Sequence, residues 1–422
     1  MHTLNAATIE EITDFSGFTG KAARSILFIA LLILLSGCEP VRNYEAALVL
    51  QDMAAVHNPS QLKQTTDTPL RIPVSYEGGV PKQTRRADLY LPGKIEDCER
   101  TQNNAHAAIM RGCPRAAIVV IPGAVPQGKD DPRLTAFAST LARAGFAVLA
   151  PDITGFRKLR VRPSDAREIA DAFTYLAGRP ELARNGRVGL FAFSYALGPA
   201  LIAALEDDTR ERVRFVVGVG GYHDLPRAMR FFTTGWFEHQ GKWRYLTPDD
   251  SGKMVLAYSS LDYLTDKHAR TVFDRMVALR RRDPRADLTP LTAELSTDGR
   301  AVYALAANTD PARFPELLAH LPQTMRADID RLDLARRDLK QLKARLILVH
   351  GMNDNLIPYP ESLSLAVAAP QADVFLIHRV LGHVDMSVSH LLSWRFWRED
   401  ISDWWRLWRV IDLLLAEREE EA

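Results

Sequence analysis

The feature that most constrains this chain is residues 187–204, RVGLFAFSYALGPALIAA, where an apolar run, one serine and an alanine-rich run follow one another without a spacer. Val188, Leu190, Phe191 and Phe193 are β-prone and suit a buried strand, whereas Leu197, Leu201 and Ile202 with Ala200, Ala203 and Ala204 fall on a helical face. A strand that turns straight into a helix holds its corner residue in a strained backbone conformation and pushes that side chain out above the sheet. The residues two before and two after the corner must be small, and they are Ala192 and Ala196. Ser194 is the corner. Alone, the pattern fits a nucleophile and equally a serine capping the helix after a parallel strand.

The rest of the chain supplies a sheet around that corner. Residues 71–76 and 87–91 read as the first strands, and 116–121, AAIVVI, as a strand covered on both faces. Asp131 caps a helix with Pro132 in its first turn and Gly145 at its end, and 146–150 is the next strand. A helix over 164–177, then strands over 215–219, 345–350 and 373–377, complete a regular alternation. That alternation predicts an α/β fold with a mostly parallel sheet and helices on both faces.

With the elbow in place, the chain resembles the α/β-hydrolase family, whose G-x-S-x-G turn appears here with Ala192 and Ala196 for the glycines. The family's chain order of nucleophile, acid and base is matched by Ser194, Asp354 and His383, each at or just beyond the carboxyl end of an expected strand. The resemblance implies acyl transfer, with Ser194 attacking, His383 moving the proton and Asp354 orienting the imidazole. It also implies backbone oxyanion donors at Tyr195 and Ala124, with Pro122-Gly123 standing where many relatives have His-Gly. Asp354 also fits an Asx turn, Asp385 is a second carboxylate beside His383, and His350, His378 and His390 compete with it as bases. The expected activity is carboxyl-ester hydrolysis of a small-molecule or lipid-like ester; the alternatives are amide or peptide hydrolysis with the same three residues, or a catalytically silent binding lipoprotein.

The implied layout is a signal segment over 1–37, a tether over 38–69, core over 70–221, a helical cap over 222–343 between core strands six and seven, and core again over 344–422. Helical stretches are expected within the cap at 268–280 and 329–342. Phe231, Phe232, Trp236 and Phe237 either line an apolar acyl pocket over Ser194 or dock the cap on the core. Near the end, Trp394, Trp397, Ile401, Trp404, Trp408, Ile411 and Leu415 make one helical seam, suited to burial or to a membrane surface.

Lys21 and Arg24 precede the apolar run 25–35, and Leu35-Ser36-Gly37-Cys38 resembles a bacterial lipobox. The run is too short to span a bilayer. That resemblance implies a chain lipidated at Cys38 and held in the cell envelope, on the periplasmic face of the outer membrane in a Gram-negative host because Glu39, not aspartate, follows. In such an oxidising compartment Cys98 and Cys113 are expected to form a disulfide. Lys and Arg total 53 against 52 Asp and Glu, which gives no electrostatic case for nucleic acid. No phosphate-binding or dinucleotide motif occurs, so no cofactor is expected, and no metal is expected because neither Cys98 nor Cys113 has a second ligand at a metal-site spacing, although His106 lies between them.

Overall fold

The computed structural model describes residues 40–55, 58–92, 113–183, 187–283, 285–383 and 401–419. Its centre is β3 (Ala116–Ile121), buried over its whole length, as an uninterrupted apolar run covered on both faces must be. β3 pairs in parallel with β4 (Phe146–Pro151) on one side and with β5 (Val188–Phe193) on the other. β6 (Val213–Val219), β9 (Arg345–Gly351) and β10 (Ala372–Ile377) extend the parallel part beyond β5. At the opposite edge β1 (Leu70–Gly78) and β2 (Gln83–Leu91) form an antiparallel hairpin, and β2 joins β4 antiparallel. The order is therefore β1-β2-β4-β3-β5-β6-β9-β10. The antiparallel edge follows from the short 79–82 connection, since a parallel neighbour needs a crossover.

Helices cover both faces. α3 (Ser164–Ala177) and α4 (Leu197–Leu205) pack on one, and α1 (Pro40–Ala54), α2 (Pro132–Arg143) and α8 (Ile401–Arg418) on the other. α2 starts as its sequence dictates: the Asp131 carboxylate accepts the Arg133 N–H at 2.8 Å, and Pro132 occupies the first turn.

α1 corrects the expectation of a tether over 38–69. Its residues are mixed in composition, but Ala46, Val49 and Leu50 fall three and four apart and are buried. They meet the seam of α8, where Trp404, Leu407, Trp408, Ile411, Leu414 and Leu415 are buried. The Trp408 indole donates to the Asn43 carbonyl at 3.0 Å, Arg42 pairs with Asp412 at 2.8 Å, and the buried Arg418 pairs with Glu45. The described part of the tryptophan seam is thus a packing face, with Trp405, 37% exposed, stacked on Trp408 at 4.7 Å at its margin. Trp394, Trp397, Cys38, Cys98 and the signal segment lie outside the described residues; Cys113 is buried.

Between β6 and β9 the chain makes an insertion of helices and one hairpin. It opens with α5 (Leu225–Thr234), capped by Asp224, whose carboxylate accepts the Arg227 N–H at 2.8 Å. β7 (Trp236–His239) and β8 (Lys242–Tyr245) follow as a two-stranded sheet. Sequence reading did not find that hairpin; its signal is Gln240-Gly241, both at positive φ, between aromatic flanks. α6 (Ser251–Ser260) comes next, then further helices from Ala269–Arg282 to Gln323–Leu332. The helix expected over 329–342 ends at Leu332 instead. The Asp333 carboxylate accepts the N–H groups of Leu225 (3.1 Å) and Ala335 (3.3 Å), and the Leu332 carbonyl accepts the Tyr222 hydroxyl at 2.9 Å. These tertiary bonds fix a break that helix propensity alone would not make.

At the start of α3 the Asp165 carboxyl is buried against the 153–165 segment and accepts the Arg162 N–H at 2.7 Å. Burial pushes its pKa up to about 8 against that hydrogen bond, and the Glu168 and Asp262 charges add to the rise. A carboxyl whose pKa is raised on folding binds a proton that the unfolded chain has released. The resulting stability is therefore lost as pH climbs from the ordinary 3.8 towards about 8. Asp165→Asn, which keeps the acceptor and removes the ionisation, is expected to stabilise the protein more at pH 8.5 than at pH 5.5. Urea midpoints of both proteins across that range measure it; an equal difference at both ends would refute the assignment.

Candidate active site

β5 ends at Phe193, and Ser194 occupies the left-handed region at φ 57 before a single 3-10 turn, Ser194–Ala196, leads into α4. Ala192 and Ala196, the small residues on either side of the corner, are both fully buried. This is the strained strand-to-helix corner that the sequence required.

The Ser194 hydroxyl lies 2.6 Å from His383 Nε2, and His383 Nδ1 lies 2.6 Å from Asp354 Oδ2. An ionised carboxylate can only accept, so Nδ1 carries the proton it donates to Asp354 and Nε2 is left to accept from Ser194. Asp354 is almost wholly buried. Burial opposes its ionisation, but the His383 and His350 rings facing it hold its carboxyl well below the usual range. Its second oxygen, Oδ1, accepts the N–H groups of Leu356 at 2.8 Å and Ile357 at 2.9 Å. Asp354 is therefore at once the Asx-turn residue and the partner of His383, two readings that the sequence left as alternatives.

Two of the competing histidines do other work. His378 faces Asp403 on α8, with Nδ1 3.2 Å from Oδ1, while His390 and Asp385 lie outside the described residues. His350 is completely buried at the end of β9. Its Nε2 lies 2.9 Å from the Ile357 carbonyl and 3.3 Å from Asp354 Oδ2, and its Nδ1 lies 2.7 Å from the Ser362 hydroxyl. A carbonyl accepts only, so Nε2 carries a proton and braces the acid loop from behind. Its place at a strand end marks His350 in the sequence as more a packed core residue than a base, and the bracing contact with Asp354 is what the sequence did not show. Gly220, at φ 65 after β6, was also missed. A Cβ there would sit 2.9 Å from the His383 carbonyl and 3.1 Å from Asp354 Oδ2, so the acid and the histidine loop meet where only glycine fits.

The residues expected to supply the oxyanion donors belong to two turns, one that follows Ser194 and one that follows β3. Tyr195 N–H belongs to the first turn after the corner, where amides have no acceptor within their own helix. The turn after β3 is also close, because a Cβ on Gly123 would lie 3.8 Å from Ser194 Cβ, and Ala124 is the next residue. The Tyr195 ring stacks on Tyr222 at 5.7 Å and meets Phe156 edge-on at 5.8 Å.

Phe231, Phe232, Trp236 and Phe237 contact other elements of the insertion and, through Phe237, the acid loop. Phe231 is fully buried and meets Phe237 edge-on at 5.6 Å, and Phe237 in turn meets Tyr359 at 6.1 Å. Trp236 packs on Tyr245 at 5.3 Å, and Phe232 lies over Gly252 of α6. The insertion also reaches the acid loop through the Asp249 N–H, which donates to the Asn355 carbonyl at 2.8 Å.

No protein-family model and no curated protein matches the chain. Among solved structures, a Legionella pneumophila protein whose hydrolase assignment is provisional superposes with a TM-score of 0.51 at 12% identity, over 89% of this chain and 95% of its own. An acylaminoacyl peptidase from Pyrococcus horikoshii gives a TM-score of 0.42 at 12% identity over 85% of this chain, which spans 44% of that protein's length. An esterase from Pyrococcus furiosus gives 0.39 at 11% identity, over 82% and 91% of the two chains. Sheet order, strand-to-helix corner and the first of these superpositions agree on the class: the chain has the α/β-hydrolase fold.

Proposed function

We propose that this protein is a serine hydrolase that cleaves carboxylic esters through an acyl-enzyme intermediate. The observation that carries the reading is the continuous hydrogen-bonded line from Ser194 through His383 to the buried Asp354, with both links at 2.6 Å. In the proposed reaction His383 Nε2 takes the Ser194 proton as Oγ attacks the carbonyl, and the Asp354 carboxylate stabilises the imidazolium that forms. The N–H groups of Tyr195 and Ala124 are assigned to the oxyanion. The same imidazolium then gives its proton to the leaving oxygen, and water repeats the sequence to release the acid. The insertion between β6 and β9 is the proposed cap, supported by its contact with the acid loop at Asn355.

A fluorophosphonate probe is expected to label the intact protein and to leave Ser194→Ala unlabelled. No labelling of the wild type by a probe shown able to reach Ser194 beneath the insertion would overturn the reading. Matched ester and amide substrates are expected to rank with the ester ahead. The proposal extends to location: lipidation at Cys38 is expected to show as palmitate incorporation that Cys38→Ala abolishes.

A further inference from the structure

Beneath the hairpin of the insertion lies a cavity of about 240 Å³ lined by Arg227 and Arg230 of α5, Phe237 and Gln240 of the hairpin, and Glu361 and Ser364 of α7 (Pro360–Ala368). The charges on its wall are unequally answered. Glu361 is buried, and its carboxylate accepts the backbone N–H groups of His223 (3.0 Å) and Asp224 (2.8 Å) together with Arg227 Nε (2.9 Å) and Nη2 (3.3 Å). That pair is closed. Arg230, one turn further along α5, has neither a carboxylate within ion-pair distance nor a hydrogen-bond acceptor among the described residues. Its Nε is cut off from solvent, and its guanidinium lies 4.8 Å from the centre of the Trp243 ring. Glu238 also lines the cavity, but it is exposed.

A half-buried guanidinium held over an aromatic face has lost part of its hydration and retains donors that need acceptors. Burial is the main influence on it and lowers its pKa, with the neighbouring Arg227 charge adding to the fall and the Asp224, Glu238 and Glu361 charges, none of them bonded to it, acting the other way. The neutral groups around it, the Ser364 hydroxyl and the Gln240 amide, can both donate. The first turn of α7 adds the positive end of a helix to the same wall.

We propose that this cavity is a binding site for a small oxyanion, the carboxylate or phosphate group of a ligand, with Arg230 as its principal donor. The site is independent of the serine chemistry and involves none of its residues. Calorimetric titration of the intact protein with sodium phosphate and, separately, with sodium acetate at constant ionic strength tests it. Saturable binding of at least one anion is expected, weakened tenfold or more by Arg230→Gln and unchanged by Arg244→Gln, which removes an exposed cation of the same hairpin. Ser364→Asp, which would place a carboxylate inside the cavity to answer Arg230, is expected to abolish binding and serves where Arg230→Gln disturbs folding. Preference for phosphate would assign a phosphate-bearing ligand, and preference for acetate a carboxylate. Absence of saturable binding of either anion, or equal binding by wild type, Arg230→Gln and Ser364→Asp, overturns the proposal.

Discussion

Ser194→Gly is expected to lose all fluorophosphonate labelling and all esterase activity while folding more stably than Ser194→Ala. Both variants remove the proposed nucleophile, so activity does not separate them. The backbone does: position 194 sits at φ 57, where an L-residue with a Cβ is strained by about 1–2 kcal/mol. Glycine carries no such penalty there. In a helix or strand glycine is less stable than alanine by about 0.5–1 kcal/mol, so the order expected at this corner is the reverse of the ordinary one. Urea midpoints of the two variants measure it, with a gap of about 1 kcal/mol in favour of glycine expected after the two effects offset. Alanine matching or exceeding glycine would mean that the corner is not strained and that the elbow geometry is wrong.

Asp354→Asn is expected to reduce kcat/KM by a factor on the order of 10⁴ with little loss of folded structure, the scale known for the same change in other triads. The reason lies in the acid loop. Oδ1 of Asp354 is committed to the N–H groups of Leu356 and Ile357, so an asparagine must place its carbonyl oxygen there. Its NH₂ then faces His383 Nδ1, which can meet it only as an acceptor. The proton moves to Nε2, the atom 2.6 Å from the Ser194 hydroxyl, and the base becomes a donor towards the group it should deprotonate. Circular dichroism unchanged from wild type, together with the rate loss, would support this account. A variant retaining more than a tenth of the wild-type rate would sink it.

Much of this site was legible because its parts obey local rules. A corner serine flanked by alanines, an aspartate just past β9 and a histidine behind a glycine are all strand-end features, and strand ends can be read from apolar runs. The same logic places β3 and α3 at their observed bounds. What escaped the sequence is decided by contacts between distant segments. Whether His350 competes with His383 or braces Asp354 depends on how the end of β9 meets Ser362 and Ile357. The break after Leu332 depends on Tyr222 and Asp333, and the helix at 40–54 exists because the α8 seam offers it a partner. The Phe231–Phe237 cluster shows the limit of composition: aromatic residues suit a pocket or a joint equally, and only their neighbours distinguish the two.

That first helix bears on how the molecule would meet a bilayer. A chain tethered by some thirty loose residues would tumble freely at the end of a leash. Pro40 of α1 is two residues after Cys38, a reach of at most about 7 Å along the chain. Under the proposed lipidation at Cys38, the packed body would be held within that reach of the lipid surface. Its encounters with substrate would become a search in two dimensions, favouring esters that travel in or along the same leaflet.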